Sequence, residues 1–183
     1  MTGFGESSYR RNPAADPQEL ERLVRTYADM LVRYAFTIVG SSAAAEDVME
    51  DTFAYLIAKG GNFPDEGSIR AWLYKVAHSK AINYLRKHKR EVPLQDVEQV
   101  LYGGSLERDL IRQERNEVLY LCMQKLPDKY RQVLQLKYLD GFTQAQICAI
   151  TGLSVKQVYN CLHRGRVALK ELLRKEGITY EDI

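Results

Sequence analysis

The sequence has no long apolar run. No stretch approaches the roughly 18 consecutive apolar residues that a transmembrane helix requires. No basic segment followed by an apolar one opens the chain. We therefore expect neither a membrane span nor a signal peptide, and we expect the protein to be cytoplasmic.

Cysteine is also scarce. The 183 residues include three cysteines, Cys122, Cys148 and Cys161, and no two of them form a CxxC pair. All three lie in helical patterns, which favours reduced, structural thiols over disulfides or a zinc site. We expect no metal ion and no cofactor.

The strict alternation of polar and apolar residues that marks a strand does not persist anywhere in the chain, because the apolar residues recur at helical spacing. This pattern predicts an all-α chain of two small helical domains joined by a flexible acidic linker, the C-terminal domain being a helix-turn-helix. The predicted segments are a disordered lead-in, an N-terminal domain, the linker, a C-terminal domain and a tail, at residues 1–16, 17–90, 91–110, 111–177 and 178–183.

Local signals predict where the helices begin and end. The first helix is predicted to run from Pro17 to near Gly40, and Ser41 or Ser42 is predicted to cap the second. After a glycine-rich loop, Ser68 is predicted to cap a long third helix.

Charge is strongly segregated although the net charge is only +2. Residues 70–90 contain seven Lys or Arg and no acid, whereas residues 41–55 contain four acids and no base. Residues 91–118 are mainly acidic, and residues 124–175 contain ten bases and three acids. Two basic blocks separated by an acidic connector indicate two nucleic-acid contacts on one chain.

The stretch 144–173 has the pattern of two short helices that cross at a tight turn. Gly152 suits the turn because glycine adopts a positive φ without steric cost, and Ser154 suits the N-cap of the second helix. Three residues of that helix recur at helical spacing and are expected to face the core: Val155, Val158 and Leu162.

The opposite face of the second helix is polar and basic. It consists of Lys156, Gln157, Tyr159, Asn160, His163, Arg164 and Arg166. Such side chains can hydrogen-bond to base edges and pair with phosphates, which indicates DNA binding. From spacing alone, a plain helical protein with a solvated basic face remains the alternative.

Three segments carry a resemblance to a known family: AEDVMEDTFAYLI at 45–57, SIRAWLYKVAHSKAINYLRKHKR at 68–90, and LPDKYRQVLQLKYLDGFTQAQICAITGLSVKQVYNCLHRGRVALKELL at 126–173. In this order and spacing they resemble the bacterial extracytoplasmic-function (ECF) sigma factors, the smallest members of the sigma-70 family. The resemblance implies an alternative sigma factor that binds core RNA polymerase, recognises −10 and −35 elements and aids promoter melting. It implies no enzymatic activity.

The resemblance also implies which residues contact the −35 element. They are Lys156, Gln157, Tyr159, Asn160, His163, Arg164 and Arg166, with Lys137 placed for a backbone phosphate. Arg164 is the best candidate for bidentate guanine recognition. The sequence departs from the family at several of these positions. Many members have Gly-Thr at 156–157, Lys or Arg at 159 and Arg at 161, so the usual −35 sequence is not assumed.

For the −10 element, bases must be unstacked and held while cations follow the phosphates. The resemblance implies that Phe63 and Ser79 line a pocket for a flipped base, with Asn83 nearby. The cations expected along the backbone are Lys75, Lys80, Arg86, Lys87, Lys89 and Arg90. Trp72 is expected to pack in the core rather than to stack on a base. For Tyr74 and Tyr84, the sequence does not distinguish between these two roles.

The resemblance implies a docking face for the polymerase at Asp47, Val48, Glu50, Asp51 and Phe53. An ordinary solvated helix face is the interpretation that spacing alone favours. The implied partners are core RNA polymerase, through its β′ clamp helices and β flap, promoter DNA and an anti-sigma factor. No small-molecule substrate is expected. The acidic linker is expected either to mimic nucleic acid in the polymerase channel or to be a solvated tether.

Two other functions were considered. A stand-alone helix-turn-helix regulator would require a dimerisation helix and a ligand pocket, and it would leave the basic block at 70–90 without a role. A DNA recombinase would require a nucleophilic Ser or Tyr among several Arg in a catalytic domain, and the N-terminal half has no such cluster.

Overall fold

The computed structural model describes residues 12–88 and 118–177, and it divides the chain into two compact units at residue 95. Both described parts are helical and contain no strand, which confirms the predicted all-α fold. The predicted linker, the tail and most of the predicted lead-in lie outside the described residues. No helix within the two described ranges is long and apolar enough to cross a membrane.

Between residues 12 and 88, the N-terminal unit has three α-helices: α1 (Pro17–Val39), α2 (Ser42–Lys59) and α3 (Glu66–Lys87). α1 ends at Gly40, which adopts the left-handed conformation with φ 72°, and Ser41 caps α2 through its side chain. Both ends agree with the predicted signals. α3 differs, because it begins before Ser68: the Asp65 carboxylate accepts a hydrogen bond from the Ser68 N–H at 2.7 Å and is the true N-cap.

The last residues of the predicted lead-in are ordered rather than disordered. Pro13–Ala15 form a short 3₁₀ helix, and Pro13 is buried. The Asn12 side chain caps this turn and packs so closely against Gly60 that a Cβ there would lie 2.4 Å from the Asn12 amide nitrogen. Asp16 then caps α1. A tertiary contact with the end of α2 therefore fixes a segment whose composition is typical of disorder.

The core of the N-terminal unit lies where the three helices meet. Leu31 and Tyr34 of α1, Leu56 of α2, and Leu73 and Tyr74 of α3 are all fully buried. The Tyr34 and Tyr74 rings lie 5.1 Å apart between α1 and α3, so Tyr74 belongs to the core and is not available for stacking.

A polar network joins α1 to the first turn of α3. The Glu66 carboxylate accepts hydrogen bonds from the Tyr27 hydroxyl at 2.9 Å and from Arg22 at 3.1 Å. Burial, together with the Glu66 carboxylate, raises the pKa of Tyr27 to about 12. This network holds the loop before α3 in place.

The described part of the C-terminal unit, residues 118–177, contains four helices and one π-helical turn. The described part of α4 covers residues 118–124, followed by α5 (Asp128–Leu134), the π-helical turn Gln135–Leu139, α6 (Gln144–Thr151) and α7 (Val155–Lys175). The buried Arg131 guanidinium donates to the Gln124 carbonyl at 2.8 Å and pairs with Asp128 at 2.7 Å. It therefore ties the end of α4 to α5.

The α6–α7 pair is a helix-turn-helix, as predicted. Thr143 and Ser154 each form a capping box, with Gln146 and Gln157 respectively. Gly152 has φ 72° at the turn. These local interactions define both helix starts and the reversal between them.

Behind the turn, α7 packs on α5 and α6 through Val158, Cys161, Leu162 and Gly165. A Cβ at Gly165 would lie 3.1 Å from Leu134 and 3.2 Å from Tyr130, so this glycine permits the close approach of α5 and α7. The prediction that Val155 faces the core is wrong. Its side chain is 65 % exposed because it lies at the first turn of α7, where no helix covers it.

Candidate nucleic-acid interface

The polar face of α7 is fully presented to solvent. All seven side chains predicted there are exposed: Lys156, Gln157, Tyr159, Asn160, His163, Arg164 and Arg166. Val158, Leu162 and Gly165 hold the opposite face against the rest of the unit. The first turns of α7 can therefore approach DNA without any change in the fold.

The surroundings of Gln157 and Tyr159 determine which of their atoms are available to DNA. The Gln157 Oε1 atom accepts a hydrogen bond from the Ser154 N–H at 2.8 Å. Its amide nitrogen is then the part that remains for DNA. Tyr159 is 61 % exposed next to Val155, so the start of α7 has an apolar component that the sequence pattern missed. Apolar groups in a major groove can contact thymine methyls.

Cys161 does not contribute to the exposed face. It is buried, and burial raises the pKa of its thiol, which keeps it neutral. Its side chain instead contributes to the packing of α7. The expectation that a cation is missing here from the exposed face therefore does not apply, because position 161 lies on the packed side of the helix.

Lys137 lies apart from the other candidates, in the π-helical turn that ends where Asp140 N–H donates to the Gln135 carbonyl at 3.0 Å. It is half-buried, while its neighbours Tyr138 and Leu139 are more than half exposed. π-helical turns are often found at functional sites. Here the turn places one cation and two exposed apolar side chains just before the helix-turn-helix.

An open groove lies between α2 and α3 of the N-terminal unit, and we call it the α2–α3 groove. It brings together six of the nine residues predicted for the −10 element: Lys75, Ser79, Lys80, Asn83, Arg86 and Lys87. Two of the other three, Lys89 and Arg90, lie outside the described residues. It also contains Asp47, Val48 and Asp51 from the predicted docking face. No sequence pattern indicated that these two sets of residues share a groove.

The groove contains aromatic rings that the sequence pattern did not assign to it: Tyr55, Trp72, Tyr84 and His88. The Tyr84 and His88 rings are stacked 4.2 Å apart at the end of α3. Trp72 is half-buried: part of its side chain packs in the core, as expected, and the rest is exposed. Stacking surfaces beside cations are what proteins use to bind single-stranded nucleic acid.

Phe63, the remaining −10 candidate among the described residues, does not line the groove. It is 6 % exposed and packs edge-on against Trp72, with ring centroids 5.5 Å apart. A Cβ at Gly61 would lie 2.5 Å from the Phe63 ring, so the loop backbone covers its other side. In this arrangement Phe63 supports Trp72, and its contact with a flipped base stays a prediction.

The five docking candidates divide into two groups. Asp47, Glu50 and Asp51 are exposed on α2, whereas Val48 and Phe53 are buried in the core of the unit. The large apolar residues that α2 exposes are Tyr55 and Ile57. Phe53 can affect a partner only by positioning α2, whereas Val48, although buried, also lines the bottom of the α2–α3 groove.

One ion pair links the two sets of candidates. Lys80 of α3 lies 3.3 Å from Asp51 of α2, and its ammonium also lies 5.7 Å from the centre of the Tyr55 ring. Since both charged groups are partly exposed, the pair contributes about 0–1 kcal/mol and can be exchanged for another partner at little cost.

Comparison with known proteins places both units in one family. The sigma-70 region 2 family matches residues 23–91, which include most of α1 and both helices that form the α2–α3 groove. The sigma-70 region 4 family matches residues 116–169, which include the helix-turn-helix.

Curated relatives match along most of the chain. The RNA polymerase sigma factor YlaC of Bacillus subtilis is 32% identical over 164 residues, which cover 85% of this chain and 92% of that protein. The ECF RNA polymerase sigma factor SigW of the same organism is 29% identical over 171 residues, covering 87% and 91%.

Two solved structures have the same fold. The sigma factor RpoE of Bartonella quintana, solved with the anti-sigma factor NepR, superposes with a TM-score of 0.64 at 21% identity, covering 86% of this chain and 98% of that one. CnrH, solved with the cytosolic domain of CnrY, gives a TM-score of 0.62 at 24% identity, covering 92% and 99%.

The two helical units, one with a basic and aromatic groove and one with an exposed recognition helix, define a two-domain transcription factor. The chain belongs to the extracytoplasmic-function group of the sigma-70 family of RNA polymerase sigma factors. It is an alternative sigma factor that directs transcription initiation, and neither a stand-alone regulator nor a recombinase is favoured.

Proposed function

We propose that this sigma factor recognises the −10 element through the α2–α3 groove and the −35 element through the exposed face of α7. The observation that carries the proposal is that one groove collects four cations, two polar side chains and stacked aromatic rings. This is the chemistry that unpaired bases and their phosphates require. Binding to this groove stabilises the opened strand, and promoter melting is aided in this way.

The docking proposal rests on the exposed acids of α2. Asp47, Glu50 and Asp51 form an acidic surface that suits an Arg-rich partner, and we assign them to the β′ clamp helices of core RNA polymerase. The C-terminal unit is assigned to the β flap. The acidic segment 91–110 joins the two units as a linker. The protein works where the polymerase works, in the bacterial cytoplasm, as an initiation factor without catalytic residues of its own.

An anti-sigma factor is a further proposed partner. Two sigma factors of the same fold, RpoE and CnrH, were solved as complexes, with the anti-sigma factor NepR and with the cytosolic domain of CnrY respectively. A partner that covers the acids of α2 or the basic face of α7 would block polymerase or DNA binding, respectively.

The proposal is tested by transcription in vitro. The purified chain is combined with core RNA polymerase and genomic DNA, and the 5′ ends of the RNA are sequenced. We expect start sites that share two upstream elements and that are absent with core enzyme alone. Absence of binding to core enzyme together with absence of new start sites would overturn the proposal.

A further inference from the structure

We propose that Tyr55 of α2 is a stacking platform for one unpaired base of the melted promoter strand. This inference deepens the proposed function, because it adds a residue from the polymerase-docking helix to the −10 site. Tyr55 is 40 % exposed and lies in the α2–α3 groove. The resemblance to the family did not assign it any role.

The Tyr55 ring is held in place by neighbouring rings. It stacks on Trp72 at 5.9 Å with an interplanar angle of 22°, and Trp72 is supported from behind by the buried Phe63. The three rings form a continuous series from the core to the surface, which ends at Tyr55. An aromatic ring that is already fixed loses little entropy when a base stacks on it.

The charges of the groove orient the strand. The α3 wall contributes the cations, including Lys75, Arg86 and Lys87, whereas the α2 wall contributes Asp47 and Asp51. Phosphates are attracted to the cations of the α3 wall. Because the bases carry no charge, they are directed towards the α2 wall, where Tyr55 lies.

Access to the ring requires only a small change. The Lys80 ammonium lies near Tyr55 and is paired with Asp51, but this pair is partly exposed and contributes little stability. A strand phosphate can replace Asp51 as the partner of Lys80, and a base can then lie on the ring. The ion pair between α2 and α3 is therefore compatible with an open platform.

The test uses holoenzyme assembled from core RNA polymerase and the full chain. The probe is a promoter fragment whose non-template strand is unpaired across the −10 region, with 2-aminopurine substituted at one position at a time. Stacking on an aromatic ring quenches 2-aminopurine. The variants are Tyr55→Phe, which keeps the ring, and Tyr55→Leu, which removes it, with Ile57→Ala as an exposed α2 control outside the groove.

We expect one quenched position in wild type, Tyr55→Phe and Ile57→Ala, and recovery of fluorescence at that position in Tyr55→Leu. The affinity of Tyr55→Leu for the unpaired strand is expected to fall by about 5- to 150-fold, the range for loss of one stacked base. Equal quenching and affinity in Tyr55→Leu would overturn the inference while leaving the proposed function intact. A general loss of binding with an earlier thermal unfolding transition, and no position-specific recovery, would also overturn it by showing a structural role. If wild type neither initiates nor binds the strand, the proposed function itself fails.

Discussion

We propose that Arg164 sets promoter specificity at one position of the −35 element. It is exposed on the polar side of α7, while Gly165 beside it is packed against α5. Because this packing fixes the helix, we expect the guanidinium to take a defined position when α7 lies in the major groove of DNA. A planar guanidinium pairs with guanine through two hydrogen bonds.

We expect Arg164→Ala to cost about 1–3 kcal/mol at one position of the −35 element and to relax the preference for guanine there. The measurement is holoenzyme binding to a set of promoters with every base substituted in turn. Arg174→Ala, at the far end of the same helix, is the control for loss of charge. An equal loss on all −35 sequences would show that Arg164 contacts a phosphate instead.

His78 is expected to make the stability of the N-terminal unit depend on pH. Its Nδ1 lies 2.9 Å from the Tyr34 hydroxyl, and burial lowers its pKa below 6.5. In the unfolded chain the imidazole takes up a proton near pH 6.5, whereas in the folded unit it stays neutral to lower pH. The unfolded state therefore binds more protons in this window, so stability falls as the pH is lowered through 6.5.

The expected result is that wild type loses stability relative to His78→Gln as the pH falls from 7.5 to 5. Glutamine keeps an acceptor for Tyr34 but does not titrate, so subtracting its unfolding curves removes the effect of the carboxylates. The measurement is the free energy of unfolding of the full chain at each pH. A difference that does not change with pH would show that His78 titrates alike in both states.

Packing between elements depends on Gly165. Any side chain there meets Leu134 and Tyr130 at 3.1 and 3.2 Å, so α5 and α7 would have to separate. We expect Gly165→Leu to destabilise the C-terminal unit by about 1–3 kcal/mol through overpacking. Val167→Leu, at an exposed site of the same helix, is the matched control. Thermal unfolding followed by circular dichroism measures both, and equal stabilities would contradict the close packing.

The basic residues at the end of α3 are expected to bind phosphates together rather than singly. Arg86 and Lys87 are exposed at the last turn of α3 and line the α2–α3 groove. If both neutralise phosphates, the double variant Arg86→Ala and Lys87→Ala should flatten the plot of log affinity against log salt by about 1.4, at roughly 0.7 per single-strand contact. Arg33→Ala with Lys59→Ala removes equal charge outside the groove. An unchanged slope in the α3 variant would refute this assignment.

Elements were predictable where the signal is local. The ends of α1, α2, α6 and α7 follow from capping residues and from glycines with positive φ, which act within a few positions of the sequence. Asp65 and Ser68 are both residue types that cap helices, so local sequence did not distinguish them. In the structure Asp65 is the N-cap, and α3 therefore begins earlier than predicted. The helical period predicted the exposed face of α7 correctly. Val155 was the exception, because periodicity does not show where a neighbouring helix ends and leaves a side chain uncovered.

The α2–α3 groove could not be predicted from local patterns. Its composition depends on how α2 and α3 are rotated against each other, which the packing around Leu56 and Leu73 decides. Tyr55 therefore entered the site only through tertiary structure, and Val48 and Phe53 proved to be buried for the same reason. The resemblance to the family supplied candidate residues, whereas the fold determined which of them share a surface.

At the scale of the whole molecule, the chain forms two compact units, and we propose that promoter recognition is divided between them. The N-terminal unit presents a groove suited to unpaired strands, and the C-terminal unit presents a helix suited to the major groove of a duplex. Each unit should then set sequence preference at one element without changing the preference at the other.

The most direct measurement compares the sequence preferences of wild-type, Arg164→Ala and Asn83→Ala holoenzymes on one promoter. Two libraries are used, one randomised across the −35 element and one across the −10 element, and the transcribed members are sequenced. The account predicts that Arg164→Ala changes preference in the −35 library alone and that Asn83→Ala changes it in the −10 library alone. The account would be contradicted if a variant changed the sequence preference equally in both libraries, or if all three enzymes had the same preferences.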